Sequence, residues 1–150
     1  MTRCPECGTP ARPRSCEELF HAVLALDHSR RPPWGPLHGV TVSCFLLQHP
    51  GRLTAHDRAR PWAALHAYLD GGLAAATRLA DGLRRANSHR AGGPLSADVV
   101  AGLPVAPLGP PPTAFAVTIA DVAEDGTFPA AGFPERVHSW AAATVDAWRA

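Results

Sequence analysis

The sequence contains no lysine, so all 14 of its basic residues are arginine. Without a lysine amine the chain cannot form a Schiff base, which excludes pyridoxal phosphate enzymes and enzymes with a lysine nucleophile. The absence also excludes a Walker A loop, because the lysine of that loop contacts the phosphates. The composition is rich in alanine, glycine, proline and arginine, as is typical of GC-rich genomes. The lysine deficit therefore reflects the genome more than the function.

Strong net charge and long apolar runs are also missing. The formal net charge is +1 at pH 7, which gives no reason to expect electrostatic capture by nucleic acid or by a membrane surface. The sequence has no run of about eighteen apolar residues that could span a bilayer. No apolar signal segment precedes the first cysteines, so we expect a cytoplasmic protein, in which structural disulfides rarely persist.

The hydrophobic periodicity predicts an all-α fold in one domain, residues 1–150. A hydrophobic fraction of 46% is enough for a buried core. We find no convincing strand. Helical spacing and capping residues predict five helices, which run from Ser15 to about Asp27, from Leu37 to Gln48, from Pro61 to about Asn87, from Thr118 for one or two turns, and from Pro134 to about Trp148.

Three of these predictions carry further detail. In the second helix the apolar positions are Val42, Phe45 and Leu46, and in the third the Gly71-Gly72 pair is expected to loosen or break the helix. The last helix should bury two indoles, those of Trp140 and Trp148. Between these helices, the Gly/Pro-rich stretch from Ala91 to Pro112 predicts an extended segment on the surface.

The N-terminal cysteines form the most informative motif. Cys4-Pro5-Glu6-Cys7-Gly8 places two thiols at a tight turn, and Cys16 supplies a third at the start of the first helix. A redox pair is the alternative, but such pairs open a helix within a βαβ unit, whereas this motif lies in a Pro-rich stretch. We therefore predict a metal site with Cys4, Cys7 and Cys16 as ligands. Zinc is favoured over iron where thiolates and imidazole are combined.

Helix geometry selects the fourth ligand. His38 and His49 are eleven residues apart on the second helix, about 16 Å along its axis, so they cannot both bind one ion. If the first two helices form an antiparallel hairpin, Cys16 lies beside His49 and His38 lies at the far end. His49 is thus our predicted fourth ligand. Cys44 is the rival, since four thiolates form a common structural site, and the remaining alternatives are His38, His21 and His66.

The order of motifs resembles a bacterial family of small domains of unknown function. The resemblance covers nearly the whole chain and includes the cysteine knuckle, a third cysteine before a helix, and the elements His38-x-x-Thr41-Val42, Gln48-His49-Pro50-Gly51, His66-x-x-Leu69 and a C-terminal helix with Trp140 and Trp148. Gln-His-Pro-Gly is its most specific element. The resemblance implies the architecture but no activity.

Two positions depart from that family's pattern. The position of Ser43 is typically an aspartate, and the position of Cys44 is not typically a cysteine. The first departure weakens any proposal of acid–base chemistry at Ser43. The second counts against Cys44 as a ligand, and leaves it as a small buried apolar residue.

Three functional hypotheses follow. The first is a noncatalytic protein in which structural zinc holds the N-terminus on a helical hairpin, and which binds a partner protein or a small ligand. The second is a metal-dependent hydrolase or transferase that uses His49 and His66, or an open fourth position on the metal. A second inter-helix site with His38 and His66 is a related possibility. The third is a nucleic-acid-binding zinc protein, which the scattered arginines argue against. The other histidines, which are His21, His28, His56, His89 and His138, are expected to face solvent or to cap helices.

Overall fold

The computed structural model of the protein describes residues 2–89 and 104–150, with side chains to residue 85 in the first range. Within these ranges the chain forms five α-helices, and its only β contact is an isolated bridge between Glu124 and Thr127. The predicted all-α fold class is confirmed. The helices are α1 (Cys16–His28), α2 (His38–Gln48), α3 (Ala59–His89), α4 (Ile119–Val122) and α5 (Phe133–Arg149).

Helix α1 begins where a capping box satisfies its first backbone donors. The amide of Glu18 donates to Ser15 Oγ at 3.1 Å, and the amide of Ser15 donates to Glu18 Oε1 at 3.0 Å. The predicted cap at Ser15 is therefore confirmed. The helix ends at His28, one residue beyond the predicted end.

Helices α1 and α2 form the antiparallel hairpin that the short connection predicted. Toward the end that carries Cys16, the rings of Phe20 and Phe45 stack with centroids 3.9 Å apart. At one end, His38 Nδ1 lies 3.1 Å from the carboxylate of Asp27. At the opposite end, Cys16 and His49 belong to one cluster of side chains. The start of α1 thus lies beside the end of α2.

Helix α2 is buried over a wider face than its apolar pattern indicated. Phe45 is buried as predicted, but Val42 and Leu46 are only half-buried. The reason is that α2 contacts both α3 and α5 as well as α1, so polar positions are enclosed and must find hydrogen-bond partners. Gln48 Nε2, for example, donates to Val117 O and to Thr144 Oγ1, each at 2.9 Å.

Helix α3 breaks at the predicted glycine pair. Gly72 has φ 75° and ψ −173°, a conformation that only glycine adopts readily. The half of α3 before the break carries the buried residues Trp62, Leu65 and His66. None of the described helices is both long and apolar enough to cross a membrane.

The chain from residue 104 to residue 112 is irregular, as predicted for this Gly/Pro-rich stretch. Arg58 holds it by donating to the carbonyls of Pro107 and Gly109 at 3.1 and 2.8 Å. The guanidinium of Arg58 also lies 4.9 Å from the centre of the Trp148 ring. The earlier part of the predicted extended segment, residues 91–103, lies outside the described residues.

Helix α5 supplies several of the large aromatic side chains of the core. Trp140 is fully buried, and Trp148 is buried with its indole N–H donating to Leu47 O at 2.8 Å. The prediction of two buried indoles is confirmed. Phe133, which the sequence pattern did not single out, is also fully buried at the start of this helix.

We expect Trp140→Ala to lower the free energy of unfolding by about 3 kcal/mol or more, because it removes a fully buried indole from a close-packed core. Denaturant unfolding followed by circular dichroism measures the change. Asp146→Ala, an exposed change on the same helix, is the control and should stay within about 0.5 kcal/mol of the unmutated protein. An unchanged midpoint for Trp140→Ala would show that α5 is peripheral.

Candidate metal centre

Four metal-type side chains converge at one end of the α1/α2 hairpin. Cys4 and Cys7 come from the N-terminal turn, Cys16 from the first residue of α1, and His49 from the residue after α2. One ligand atom from each side chain lies within 4.8 Å of all the others. The structure therefore brings together the four residues that the sequence predicted as ligands, and this cluster could hold a metal ion.

The turn that carries Cys4 and Cys7 is closed by backbone hydrogen bonds. The amide of Gly8 donates to Cys4 O at 2.9 Å, and the amide of Cys4 donates to Thr9 O at 2.8 Å. Gly8 has φ +79°, and a Cβ atom there would lie 2.9 Å from Thr113 O. Glycine is thus required twice at this position, for its backbone angle and for the close approach of another segment.

The thiols of Cys7 and Cys16 interact directly. Their sulfur atoms are 3.6 Å apart, and Cys7 Sγ also lies 2.9 Å from Thr9 Oγ1. The pKa of Cys7 is lowered, chiefly because the Cys16 thiol donates a hydrogen bond to it, while burial opposes this and Thr9 reinforces it. The same hydrogen bond raises the pKa of Cys16. One sulfur of the pair is thereby favoured as a thiolate, the form that binds metal.

His49 presents one ring nitrogen to the cluster. Its Nδ1 lies 3.1 Å from Phe45 O and must donate there, since a carbonyl can only accept. Nε2 then carries the lone pair. It is buried and has no hydrogen-bond partner among the described residues. An orphaned acceptor in this position is what a metal ligand requires, and the carbonyl of Phe45 orients the ring from behind.

Two outer contacts tie the cluster to the rest of the fold, and the sequence analysis missed both. Glu6 Oε1 accepts a hydrogen bond from the amide of Gly51 at 2.7 Å. A Cβ atom on Gly51 would meet that same carboxylate oxygen at 2.7 Å, so a larger residue there would require the Glu6 side chain to shift. Thr9 Oγ1 donates to Thr118 Oγ1 at 3.0 Å. The sequence did offer one indication of the first contact, because Glu6 is a polar residue within the cysteine turn.

The family comparison covers almost the whole chain: a family of unknown function, DUF5946, matches residues 2–149. The chain belongs to the DUF5946 family. No curated protein and no solved structure matches it. The family assignment supplies no activity, so the function of this DUF5946 chain has to be argued from its site.

The rival fourth ligands of the DUF5946 chain lie elsewhere. Cys44 is fully buried, where burial raises the pKa of its thiol. His38 contacts Asp27 at the other end of the hairpin. His66 is buried against Trp62, which lowers the pKa of its imidazole. Among residues 2–89 and 104–150, no further group of three or more metal-type side chains comes together.

The histidines predicted to face solvent or to cap helices are exposed where their side chains are described. These are His21, His28, His56 and His138. The side chain of His89 lies outside the described residues. His38 and His66, which the second hypothesis placed in an inter-helix metal site, are not brought into such a group in the part of the chain that the structure describes.

We expect Gly8→Ala to lower the free energy of unfolding by about 1–2 kcal/mol or more, because alanine is disfavoured at positive φ and its methyl group would meet Thr113 O. The matched control is Gly39→Ala on α2, where a Cβ atom meets nothing within 4 Å. This control should raise stability by about 0.4–1 kcal/mol, since it improves an exposed helical position. Equal effects of the two substitutions on the unfolding midpoint would contradict the turn geometry.

Proposed function

We propose that this chain is a zinc-binding protein in which Cys4, Cys7, Cys16 and His49 hold one structural ion. The observation that carries the proposal is the convergence of three thiols with the unpartnered Nε2 of His49, all within 4.8 Å. Three sulfurs and one imidazole nitrogen match the donor preference of zinc and disfavour magnesium or calcium. Zinc with this set would be four-coordinate and tetrahedral.

A structural role follows from the number of ligands. Four protein ligands complete a tetrahedral shell, whereas catalytic zinc keeps a position for water or substrate. The segment from residue 2 to residue 14 also buries little surface of its own, since Cys7 and Thr9 are its only buried residues. Its other attachments to the fold are hydrogen bonds such as those of Glu6 and Thr9. The binding free energy of zinc would therefore hold this segment on the α1/α2 hairpin.

The protein would act by noncovalent binding, with zinc fixing the shape of the binding domain. All four cysteines are free, which suits a reducing compartment such as the cytoplasm. A balanced charge of +1 with scattered arginines favours a partner protein or a small molecule over nucleic acid. A closed metal shell leaves the hydrolase hypothesis without an open coordination position.

We expect about one zinc per chain in protein purified without added metal, measured by plasma emission spectrometry. His49→Ala should lower zinc affinity at least about tenfold in a chelator competition, because it removes the single nitrogen ligand. Cys44→Ala is the matched control. It changes a buried thiol by little volume and should leave zinc affinity unaltered.

The reverse result would contradict this ligand set. If Cys44→Ala loses zinc and His49→Ala keeps it, the ion is held by four cysteines. If neither change lowers affinity, water occupies the fourth position, and the hydrolase hypothesis gains. Full zinc content in a protein with both Cys4→Ser and Cys7→Ser would reject the site.

We also expect zinc removal to expose the N-terminal segment selectively. A chelator should speed trypsin cleavage after Arg14, because the segment loses its attachment to α1 and α2. Cleavage after Arg30, an exposed residue beyond the opposite end of α1, is the internal control and should change little. Mass spectrometry of early fragments separates the two sites. Equal acceleration at both would show global unfolding rather than release of one segment.

A further inference from the structure

A second polar pair lies at the opposite end of the α1/α2 hairpin, and the metal centre makes no use of it. Asp27 has a fully buried side chain. Its Oδ2 accepts from Thr41 Oγ1 at 3.0 Å and lies 3.1 Å from His38 Nδ1. Its Oδ1 is buried with no hydrogen-bond partner in the described chain. Burying a carboxyl group costs free energy unless hydrogen bonds replace its contacts with water. The hydrogen bonds to Asp27 are therefore expected to hold Thr41 and His38 in place.

The contact with Asp27 determines how His38 is oriented. Nδ1 faces a carboxylate that can only accept, so Nδ1 carries a proton. Nε2 is then the ring nitrogen left to contact a ligand. The His38 side chain is 46% exposed and lines a groove between α2 and both halves of α3. An imidazole held by a buried carboxylate is a common arrangement for taking up a proton at Nε2.

The α2/α3 groove has an apolar body and only basic ionisable groups. It encloses about 640 Å³, within the roughly 300–1,000 Å³ typical of small-molecule sites. Its walls include Val42, Leu46, Ala64, Leu73, Ala76 and Leu79. The ionisable residues that line it are His38, Arg60 and Arg84, and no acidic residue of the described chain is among them. Arg84 also pairs with Asp81, which is not part of the lining.

We propose that the α2/α3 groove binds a small amphipathic carboxylic acid, with His38 receiving the carboxyl group and Asp27 acting as its positioning residue. The aliphatic walls bury the apolar body of the ligand. Octanoate is a carboxylate at neutral pH, so its complex with Nε2 takes up one proton from solvent, and that proton lies between the carboxylate and the ring. A charge-assisted hydrogen bond to the His38 ring favours an acid over an alcohol or an amine of equal length.

This proposal gives the binding role proposed above a location and a ligand class, and it does not depend on the metal. The two can fail separately, because the experiment uses the zinc-loaded protein and measures zinc content in parallel. If protein with full zinc content does not bind octanoate, the proposal for the groove is rejected and the metal site is not. Absence of zinc with intact octanoate binding would reject the metal site alone.

The test compares octanoate with 1-octanol and octylammonium by isothermal titration and by NMR shifts of the Val42 and Leu46 methyl groups. We expect saturable binding of octanoate that is at least about tenfold tighter than that of the other two probes. His38→Gln should lower the affinity for octanoate about tenfold and the affinity for octanol less than twofold. The control is His28→Gln, whose ring lies 5.8 Å from that of His38 but does not line the groove, and it should change neither.

The positioning role of Asp27 is tested by a readout that the loss of a purely structural residue would leave unchanged. Asp27→Asn should move the nitrogen chemical shifts of the His38 ring toward those of a mixture of tautomers. It should also lower the affinity for octanoate but not that for octanol. Ala76→Trp should fill the groove and abolish binding of both. The proposal is overturned if octanoate and octanol bind equally, if His38→Gln matches its control, or if Ala76→Trp leaves octanoate affinity unchanged.

Discussion

The antiparallel packing of α1 on α2 is the constraint on which both polar sites depend. The stacked rings of Phe20 and Phe45 join the two helices about one turn from the cysteine cluster. Because the helices run in opposite directions, the first residue of α1 meets the last turn of α2, while Asp27 meets His38. One apolar contact thus sets the positions of two separate sites about three helical turns apart. Any change that rotated one helix on the other would disturb the thiol cluster and the carboxylate–imidazole pair together.

The four residues of Gln48-His49-Pro50-Gly51 each have a separate structural task. Gln48 joins the end of α2 to α5 and to the segment before α4. His49 presents Nε2 to the cysteine cluster, and Pro50 follows where the α-helix has already ended. Gly51 leaves room for Glu6 and donates to it. This short motif is the place where the core, the cluster and the N-terminal turn meet.

Much of the helical fold could be predicted from sequence, because capping residues, glycine and proline mark helix ends locally. The capping box at Ser15 and the break at Gly72 are examples. The grouping of His49 with the cysteines followed from one topological argument, the short hairpin. The pairing of Asp27 with His38 could not be predicted, since an acidic residue near a helix end is usually a surface group. The buried polar face of α2 was missed for a related reason: its partners, such as Thr144, are distant in sequence.

Cys16 is the first residue of α1, and this position bears on the charge of the cluster. Three thiolates around one divalent ion carry a net charge of −1, which would be unfavourable in a half-buried site. The aligned peptide dipoles of α1 place a partial positive charge at this same end of the helix, where an anion is stabilised by about 0.3–1 kcal/mol. In the proposed zinc site the end of the helix would therefore supply part of the counter-charge. Arginines also line the same pocket, namely Arg3, Arg12, Arg14 and Arg52. Two of these arginines also contact other groups: Arg14 donates to Gly126 O, and Arg52 pairs with Glu17.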